Sequence, residues 1–199
     1  MVVTHHEADV DRYAPRQATS PEFLVNWQED GWQRLPARRT EVDGDYGEPL
    51  SLQWAGTSIR IAQVLESSGW HRPQPWTLRT TLLWLLPSTT IGQLPVLAKL
   101  HKGQSPTMNF ERELDSSHRL VIRFWPTRYQ IGALDKQPAA LWIASVTIER
   151  LVHPAGLLTL AITQRDFARP TAELAKSIQS QGLGSSIMRR DATAVLLVR

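Results

Sequence analysis

Five polar side chains in the middle of the chain have the types and the spacing to hold an anion. His101 and Lys102 precede a glycine in a turn-like sequence, and His118, Arg119 and Arg123 follow one another along a strand-like sequence. Guanidinium forks match the oxygens of a phosphate, and an ammonium group adds a compact positive charge. The set therefore predicts a site for an anion or an anionic partner. The alternative is an ordinary solvated hairpin face.

Catalytic signatures are missing from the sequence. It contains no GxSxG, Walker A, GxGxxG or HExxH pattern. Metal-capable side chains cluster only near the start, where His5, His6 and Glu7 precede Asp9 and Asp11, and such a cluster in a flexible tail is mostly adventitious. Cysteine is absent, which excludes disulfides and thiol chemistry. We predict no catalytic residue, no metal site and no cofactor.

Charge is distributed unevenly along the chain. Residues 1–50 hold five Arg and ten Asp or Glu, a net charge of −5, whereas residues 51–199 hold 17 Lys or Arg and nine Asp or Glu, a net charge of +8. A basic body is typical of proteins that contact anionic lipid or nucleic acid, although scattered surface charge would give the same totals. No apolar run approaches the 20 or so residues that span a bilayer.

Periodicity predicts the elements that must position these side chains. Leu50 to Trp54 alternates as a strand does, and a helix capped by Thr57 or Ser58 follows and ends at Gly69. Met108 to Leu114 and His118 to Trp125 predict a hairpin, and Ala140 to Leu151 is the clearest strand. Further predictions are a helix over Pro21 to Trp32, a buried strand or short helix over Trp76 to Leu86, a loop over Pro126 to Pro138, a strand over Leu157 to Ile162, a helix over Thr171 to Gln181 and a strand over Ala192 to Val198.

Strands outnumber helices, and they do not alternate with them throughout. This order predicts an α+β fold, with a mainly antiparallel or mixed sheet on which two to three helices pack. Residues 1–20 are polar and poor in apolar side chains, so we predict a flexible acidic lead-in before a single globular domain over residues 21–199.

Several short motifs, taken in order, resemble the LssY C-terminal domain family. The resemblance covers roughly residues 12–199 and depends on Arg12-Tyr13-Ala14-Pro15, Gly31 to Pro36, Pro49 to Gly56, Gly69-Trp70, Leu94 to Leu97, Leu100 to Gly103, Leu120 to Pro126 and Leu141 to Ser145. Each motif is short, but their ordered combination is fairly specific. The family differs from this chain in having a histidine-rich strand end where Thr163-Gln164-Arg165-Asp166 stands here.

The resemblance implies a bacterial protein of the cell envelope, peripheral to the membrane. Members of the family are often joined to DedA-type transport proteins or to lipid phosphatases of the phosphatidic-acid-phosphatase type, and the family name implies a link to secretion. No catalytic residues are established in it. The expected partner is therefore a membrane protein or a membrane surface, on a side that the sequence does not indicate.

Three functions are compatible with these observations. The first is a non-catalytic accessory or interaction domain that acts beside a membrane transporter or a lipid phosphatase. The second is a hydrolase of a phosphorylated or lipid substrate, which would use His101, His118 and Arg123. The third, binding of single-stranded nucleic acid, ranks last because the tryptophans occupy cap and strand positions that favour the core, so we predict no nucleic-acid partner.

Overall fold

The computed structural model describes residues 21–86, 88–132, 138–154, 158–190 and 193–199, so the predicted lead-in over residues 1–20 lies outside the described residues. The strands are β1 (Glu22–Phe23), β2 (Arg38–Thr40), β3 (Tyr46–Pro49), β4 (Leu52–Ala55), β5 (Met108–Glu113), β6 (His118–Ile131), β7 (Ala139–Val152), β8 (Leu160–Thr163), β9 (Ser185–Arg190) and β10 (Thr193–Val198). The α-helices are α1 (Ser58–Ser67), α2 (Leu78–Leu82) and α3 (Ala168–Ser180), and short 3-10 helices cover Gly31–Arg34, Leu83–Leu85 and Ile91–Gln93.

One mixed sheet of eight strands organises the described residues. Its order is β1-β6-β7-β4-β10-β9, with β5 also paired to β6 and β8 also paired to β7. The pairs β1–β6 and β4–β10 are parallel, and the others are antiparallel. Strands β2 and β3 form a separate antiparallel pair. The predicted α+β class is thus confirmed, with three α-helices among the described residues.

The β4–α1 unit forms as its sequence predicts. The Thr57 side chain accepts a hydrogen bond from the backbone N–H of Arg60, so it caps the first turn of α1. Gly69 ends the unit at a φ of 80°, a left-handed conformation that glycine adopts without strain. The buried Trp70 then donates its backbone N–H to the carbonyl of Leu65.

The two faces of the sheet are covered in different ways. On one face, α1 and α3 pack on an apolar core that contains Leu120, Ile122 and Phe124 of β6. On the other face, residues 24–35 cover a second apolar cluster with Trp27, Trp32 and Trp125. We call residues 91–104, which run across the rest of this second face, the crossing segment.

Two predicted elements differ from the structure, and residues 133–137 of the second lie outside the described residues. Residues 21–32 form β1, turns and the start of a 3-10 helix instead of a helix, because Trp27 and Trp32 are buried on the sheet and hydrogen-bond with Gln53. The loop predicted from Pro126 is partly strand, since β6 continues to Ile131 after a register shift.

The prediction for Trp76 to Leu86 is half right. The segment contains the short helix α2 and the 3-10 helix Leu83–Leu85, but five of its large side chains are exposed, and Leu83 and Trp84 are only partly buried. Neither of the two apolar clusters formed by the described residues includes a side chain of this segment.

Candidate functional site

The structure distributes the five predicted site residues over three places. Arg119 and Arg123 lie side by side on the second face of the sheet, fully buried beneath the crossing segment. His118 lies at the turn between β5 and β6. His101 and Lys102 lie together at the far end of the crossing segment, where they line an open cleft.

Arg119 holds the start of the crossing segment. Its Nε and Nη2 donate to Oε2 of Glu149 over 3.0 and 2.8 Å, and its Nη1 donates to Oε2 of Glu111 over 2.8 Å. The same guanidinium donates to three carbonyls of the crossing segment, those of Ile91 (3.1 Å), Leu94 (2.6 Å) and Pro95 (3.3 Å). The charge is therefore paired, and the irregular backbone above it gains hydrogen-bond donors.

Arg123 donates to the next part of the crossing segment in the same way. Its Nη2 donates to Oε1 of Glu149, and its Nε and Nη2 donate to the carbonyl of Leu97 over 3.2 and 3.1 Å. Two arginines thus share Glu149 as their counter-ion. Because their donors already have acceptors inside the protein, these two residues are positioned to support the crossing segment.

The pKa values of the two carboxylates of this buried network are shifted in opposite directions. Burial tends to raise the pKa of Glu149, but the charges and hydrogen bonds of Arg123 and Arg119 outweigh burial and hold it below its usual range. Burial raises the pKa of Glu111 to about 7, against the opposing charge of Arg119. Oε1 of Glu111 has no hydrogen-bond partner, and Nε2 of His71 lies 3.5 Å from it.

A second ion cluster fixes the later part of the crossing segment. Arg39 donates through Nη1 to the carbonyl of Leu100 (2.6 Å) and through Nε to Oε2 of Glu48 (2.9 Å). Lys99 donates to Oγ1 of Thr163 over 2.7 Å and lies 3.5 Å from Oε1 of Glu48. Burial lowers the pKa of Lys99, although the neighbouring Glu48 carboxylate opposes the shift. The segment is therefore held to the fold along its length.

The end of the crossing segment is a rigid turn. Nδ1 of His101 accepts the backbone N–H of Thr40 over 3.1 Å, and the imidazole lies 5.9 Å from the ring of Trp125. Lys102 adopts a φ of 50° and Gly103 a φ of 75°, as expected for a tight left-handed turn. The turn leaves the Lys102 side chain exposed at the mouth of the cleft.

This opening, which we call the cationic cleft, has a volume of about 660 Å³ and is lined by Arg34, His101, Lys102, Thr127, Arg128 and Tyr129 among others. No acidic side chain is among the described residues that line it. Arg34 and Lys102 have no acidic partner in the described part of the chain, whereas Arg128 lies 3.3 Å from Glu22. The hydrogen bond that Arg128 donates to the Tyr129 hydroxyl and the charge of Glu22 raise the pKa of Arg128.

Another arginine positions the wall of the cleft that carries Arg34. Arg190 of β9 donates to the carbonyls of Leu35 (2.8 Å) and Trp32 (3.2 Å). Its guanidinium also lies 5.0 Å from the ring centroid of Trp32. The short 3-10 helix that bears Arg34 is consequently held against the sheet, which directs a free cation toward the opening.

His118 has a local role in the turn between β5 and β6. Its Nδ1 lies 3.0 Å from Oδ1 of Asp115, and Ser117 donates to the same oxygen through its backbone N–H and its hydroxyl. The hydrogen bonds from Ser117 and then from His118 lower the pKa of Asp115 to about 2. The cleft residues that the sequence prediction missed are Arg34, Thr127 and Arg128, which the chain's spacing does not connect with His101 and Lys102.

No group of three or more metal-ligating side chains occurs among the residues described here. The described helices also include none that is long and apolar enough to cross a membrane. The arrangement of the cleft, with free cations and hydrogen-bond donors, is chemically suited to bind an anion.

Comparison with known families gives one match. The sequence model for the LssY C-terminus matches residues 32–187, which include both ion clusters and the cationic cleft. No match was found among curated proteins or among solved structures.

Proposed function

The chain belongs to the LssY C-terminus family, and on this premise we propose that it is a non-catalytic interaction domain of the bacterial cell envelope. It acts at the membrane periphery, beside a membrane transporter or a lipid phosphatase, in a process linked to secretion. In this proposal the cationic cleft binds the phosphate of an anionic lipid headgroup.

One observation carries the proposal: the cleft gathers three cations, and two of them have no acidic partner in the described part of the chain. The contrast with Arg119 and Arg123 is informative, because the protein supplies those buried arginines with its own carboxylates and carbonyls. Arg34 and Lys102 instead have unused donors that face an opening of suitable size. A phosphate at an anionic surface supplies the missing acceptors.

The test is co-sedimentation of the purified chain with vesicles, either anionic or zwitterionic, over a series of salt concentrations. Each basic side chain near an anionic surface contributes about 1 kcal/mol, so the double variant Arg34→Gln/Lys102→Gln should bind anionic vesicles about thirtyfold more weakly. Its binding should also depend less steeply on salt.

The matched control is Arg60→Gln/Arg165→Gln, which removes two exposed arginines outside the cleft and changes the net charge equally. This control should bind like the unaltered chain. An equal loss in both double variants would assign binding to general charge and reject the cleft. Absence of binding to any vesicle would reject the lipid surface and favour a protein partner.

The hydrolase alternative has one observation in its favour, since His101 lies in the same cleft as the cations and could exchange protons there. It predicts pH-dependent turnover of a generic phosphoester that is lost in His101→Gln. No turnover across a broad panel of phosphoesters would reject this alternative.

A further inference from the structure

Five large apolar side chains extend from the short helices between residues 76 and 86. Trp76, Leu78, Leu82, Leu85 and Leu86, which we call the leucine ridge, are each about half exposed or more. Leu78 is 87% exposed and Leu82 is 62% exposed, and their spacing of four places them on one side of α2. Single exposed leucines are common on protein surfaces, but five within eleven residues form a patch that requires an explanation.

The backbone beneath the ridge is already hydrogen-bonded at its start. Thr77 and Thr80 form a reciprocal capping box, in which each side chain accepts the other's backbone N–H over 3.1 and 2.9 Å. The Thr80 hydroxyl also donates to the carbonyl of Pro75 over 3.0 Å. Backbone N–H groups in the first turn of α2 therefore have partners inside the protein and do not depend on water for hydrogen bonds.

The end of the ridge is satisfied in the same way. The carbonyl of Leu83 accepts the Thr89 hydroxyl over 2.8 Å, and the carbonyls of Trp84 and Leu86 accept the backbone N–H and the hydroxyl of Thr159 over 2.7 and 2.8 Å. Carbonyls at a helix end otherwise bond to water, and losing that water in an apolar medium is costly. Here threonines replace the water, so this part of the ridge can leave water at low cost.

Charge around the ridge favours an anionic surface. Residues 67–110 contain no aspartate or glutamate, and the basic residues Arg72 and Arg79 lie close to the ridge in the sequence. A carboxylate within the segment would be repelled by anionic headgroups and would cost energy at the interface. Tryptophan, present as Trp76 and as Trp84 whose ring centroid lies 5.7 Å away, is enriched where proteins meet the headgroup layer.

We propose that the leucine ridge inserts into the interfacial layer of an anionic lipid bilayer. The inference rests on the proposed function in placing the protein at a membrane, and it adds an apolar anchor to the electrostatic contact made by the cationic cleft. Insertion would bury leucine side chains that no part of the described chain covers, which is how short amphipathic segments bind membrane surfaces.

The cysteine-free sequence allows a direct test by site-directed spin labelling. A nitroxide on Leu78→Cys should become inaccessible to a water-soluble relaxation agent and more accessible to oxygen when the full chain is mixed with anionic vesicles. The matched control is Ile59→Cys, because Ile59 is also an exposed apolar residue in the first turn of a helix. Its label should remain in water.

A second pair of variants measures the contribution of the ridge to binding. Leu78→Gln/Leu82→Gln should lower vesicle binding at least about tenfold, and the loss should persist at high salt because it is apolar in origin. Ile59→Gln/Ile187→Gln, which changes two exposed isoleucines elsewhere, should bind normally. All four positions are exposed, so thermal unfolding should show intact domains.

The outcomes separate the two proposals. If the chain binds vesicles through the cleft while the Leu78 label stays in water, ridge insertion is overturned and the proposed function stands. If the Leu78 label inserts into anionic vesicles while the cleft variant binds those vesicles normally, the headgroup role of the cleft is overturned and the ridge stands. Absence of vesicle binding overturns both.

Discussion

The two faces of the central sheet are covered by different kinds of segment, and the side chains beneath the two covers differ accordingly. The face beneath α1 and α3 is apolar, because a helix satisfies its own backbone hydrogen bonds and offers a stripe of side chains such as Ile61 and Leu65. The crossing segment is mostly irregular, and its internal backbone pairing is confined to the 3-10 helix Ile91–Gln93 and the turn at residues 101–104. The sheet beneath it therefore carries Arg119 and Arg123, which donate to its carbonyls and are neutralised by glutamates.

The difference indicates that the sheet buries charged side chains where an irregular segment lies on it, because the carbonyls of that segment need hydrogen-bond donors. Arg39 and Arg190 repeat the arrangement, since Arg39 donates to the carbonyl of Leu100 in the crossing segment and Arg190 donates to the carbonyls of Leu35 and Trp32 at the end of a short 3-10 helix. An arginine with five donors in a planar fork can bond to several carbonyls at once, which no apolar side chain can do.

The largest expected effect comes from removing a buried arginine from the charged face of the sheet. Arg119→Met should lower the free energy of unfolding by about 3–5 kcal/mol, because Glu149 and Glu111 stay buried after losing a shared counter-ion. Urea denaturation followed by tryptophan fluorescence measures the loss. A cost under about 1 kcal/mol would contradict the structural role assigned to this arginine.

The apolar face provides the matching test. Leu120→Ala, on the adjacent residue of the same strand, should cost about 2–5 kcal/mol through lost burial and a cavity. The two variants should differ in hydrogen exchange: Arg119→Met should release the amides of the crossing segment first, whereas Leu120→Ala should raise exchange throughout the sheet. Identical exchange patterns would mean that the crossing segment does not depend on Arg119.

A pH dependence distinguishes the two carboxylates of the charged face. The pKa of Glu111 is about 7 in the folded chain and near 4.5 when unfolded, so folding takes up a proton between these values. Its contribution to stability is complete below pH 4.5 and is lost as the pH rises through 7. Glu111→Gln should remove this decline, on the order of 1–3 kcal/mol, in urea titrations at pH 5 and pH 8. An unchanged difference between the two pH values would assign the proton to another group.

The smallest expected effect concerns the helical cover. Thr57→Ala removes the cap of α1 and should lower the free energy of unfolding by about 1 kcal/mol. Because the helix keeps its internal hydrogen bonds, the loss should be well below that of Arg119→Met. Comparable losses in the two variants, measured by the same denaturation, would contradict this distinction. The distinction is between the helices, which form their own backbone hydrogen bonds, and the crossing segment, which receives hydrogen bonds from the buried arginines.

Much of the fold could be predicted from local pattern. The hairpin of β5 and β6, the long strand β7, the capped helix α1 and the turn at Lys102 and Gly103 all follow from periodicity or turn chemistry. The helix expected over residues 21–32 failed because Trp27 and Trp32 bond to Gln53 and pack on the sheet, a contact that local propensity does not contain.

The candidate site was predicted only in part. His101 and Lys102 do line the cationic cleft, but the prediction could not add Arg34 and Arg128, because three separate segments bring these residues together. The charged face shows the same limit. Arg119 and Arg123 lie on the side of β6 opposite Leu120, but the sequence does not show that the crossing segment covers them.

Short spacings and ordered motifs are enough to specify which side chains share a face, where the chain turns, and the family to which the chain belongs. What covers each face of the sheet depends instead on contacts between distant parts of the folded chain. Whether an arginine on a strand faces solvent or a buried glutamate depends on a segment more than twenty residues away. That long-range coverage separated the buried arginines from the cations of the cleft, and it left the leucine ridge exposed.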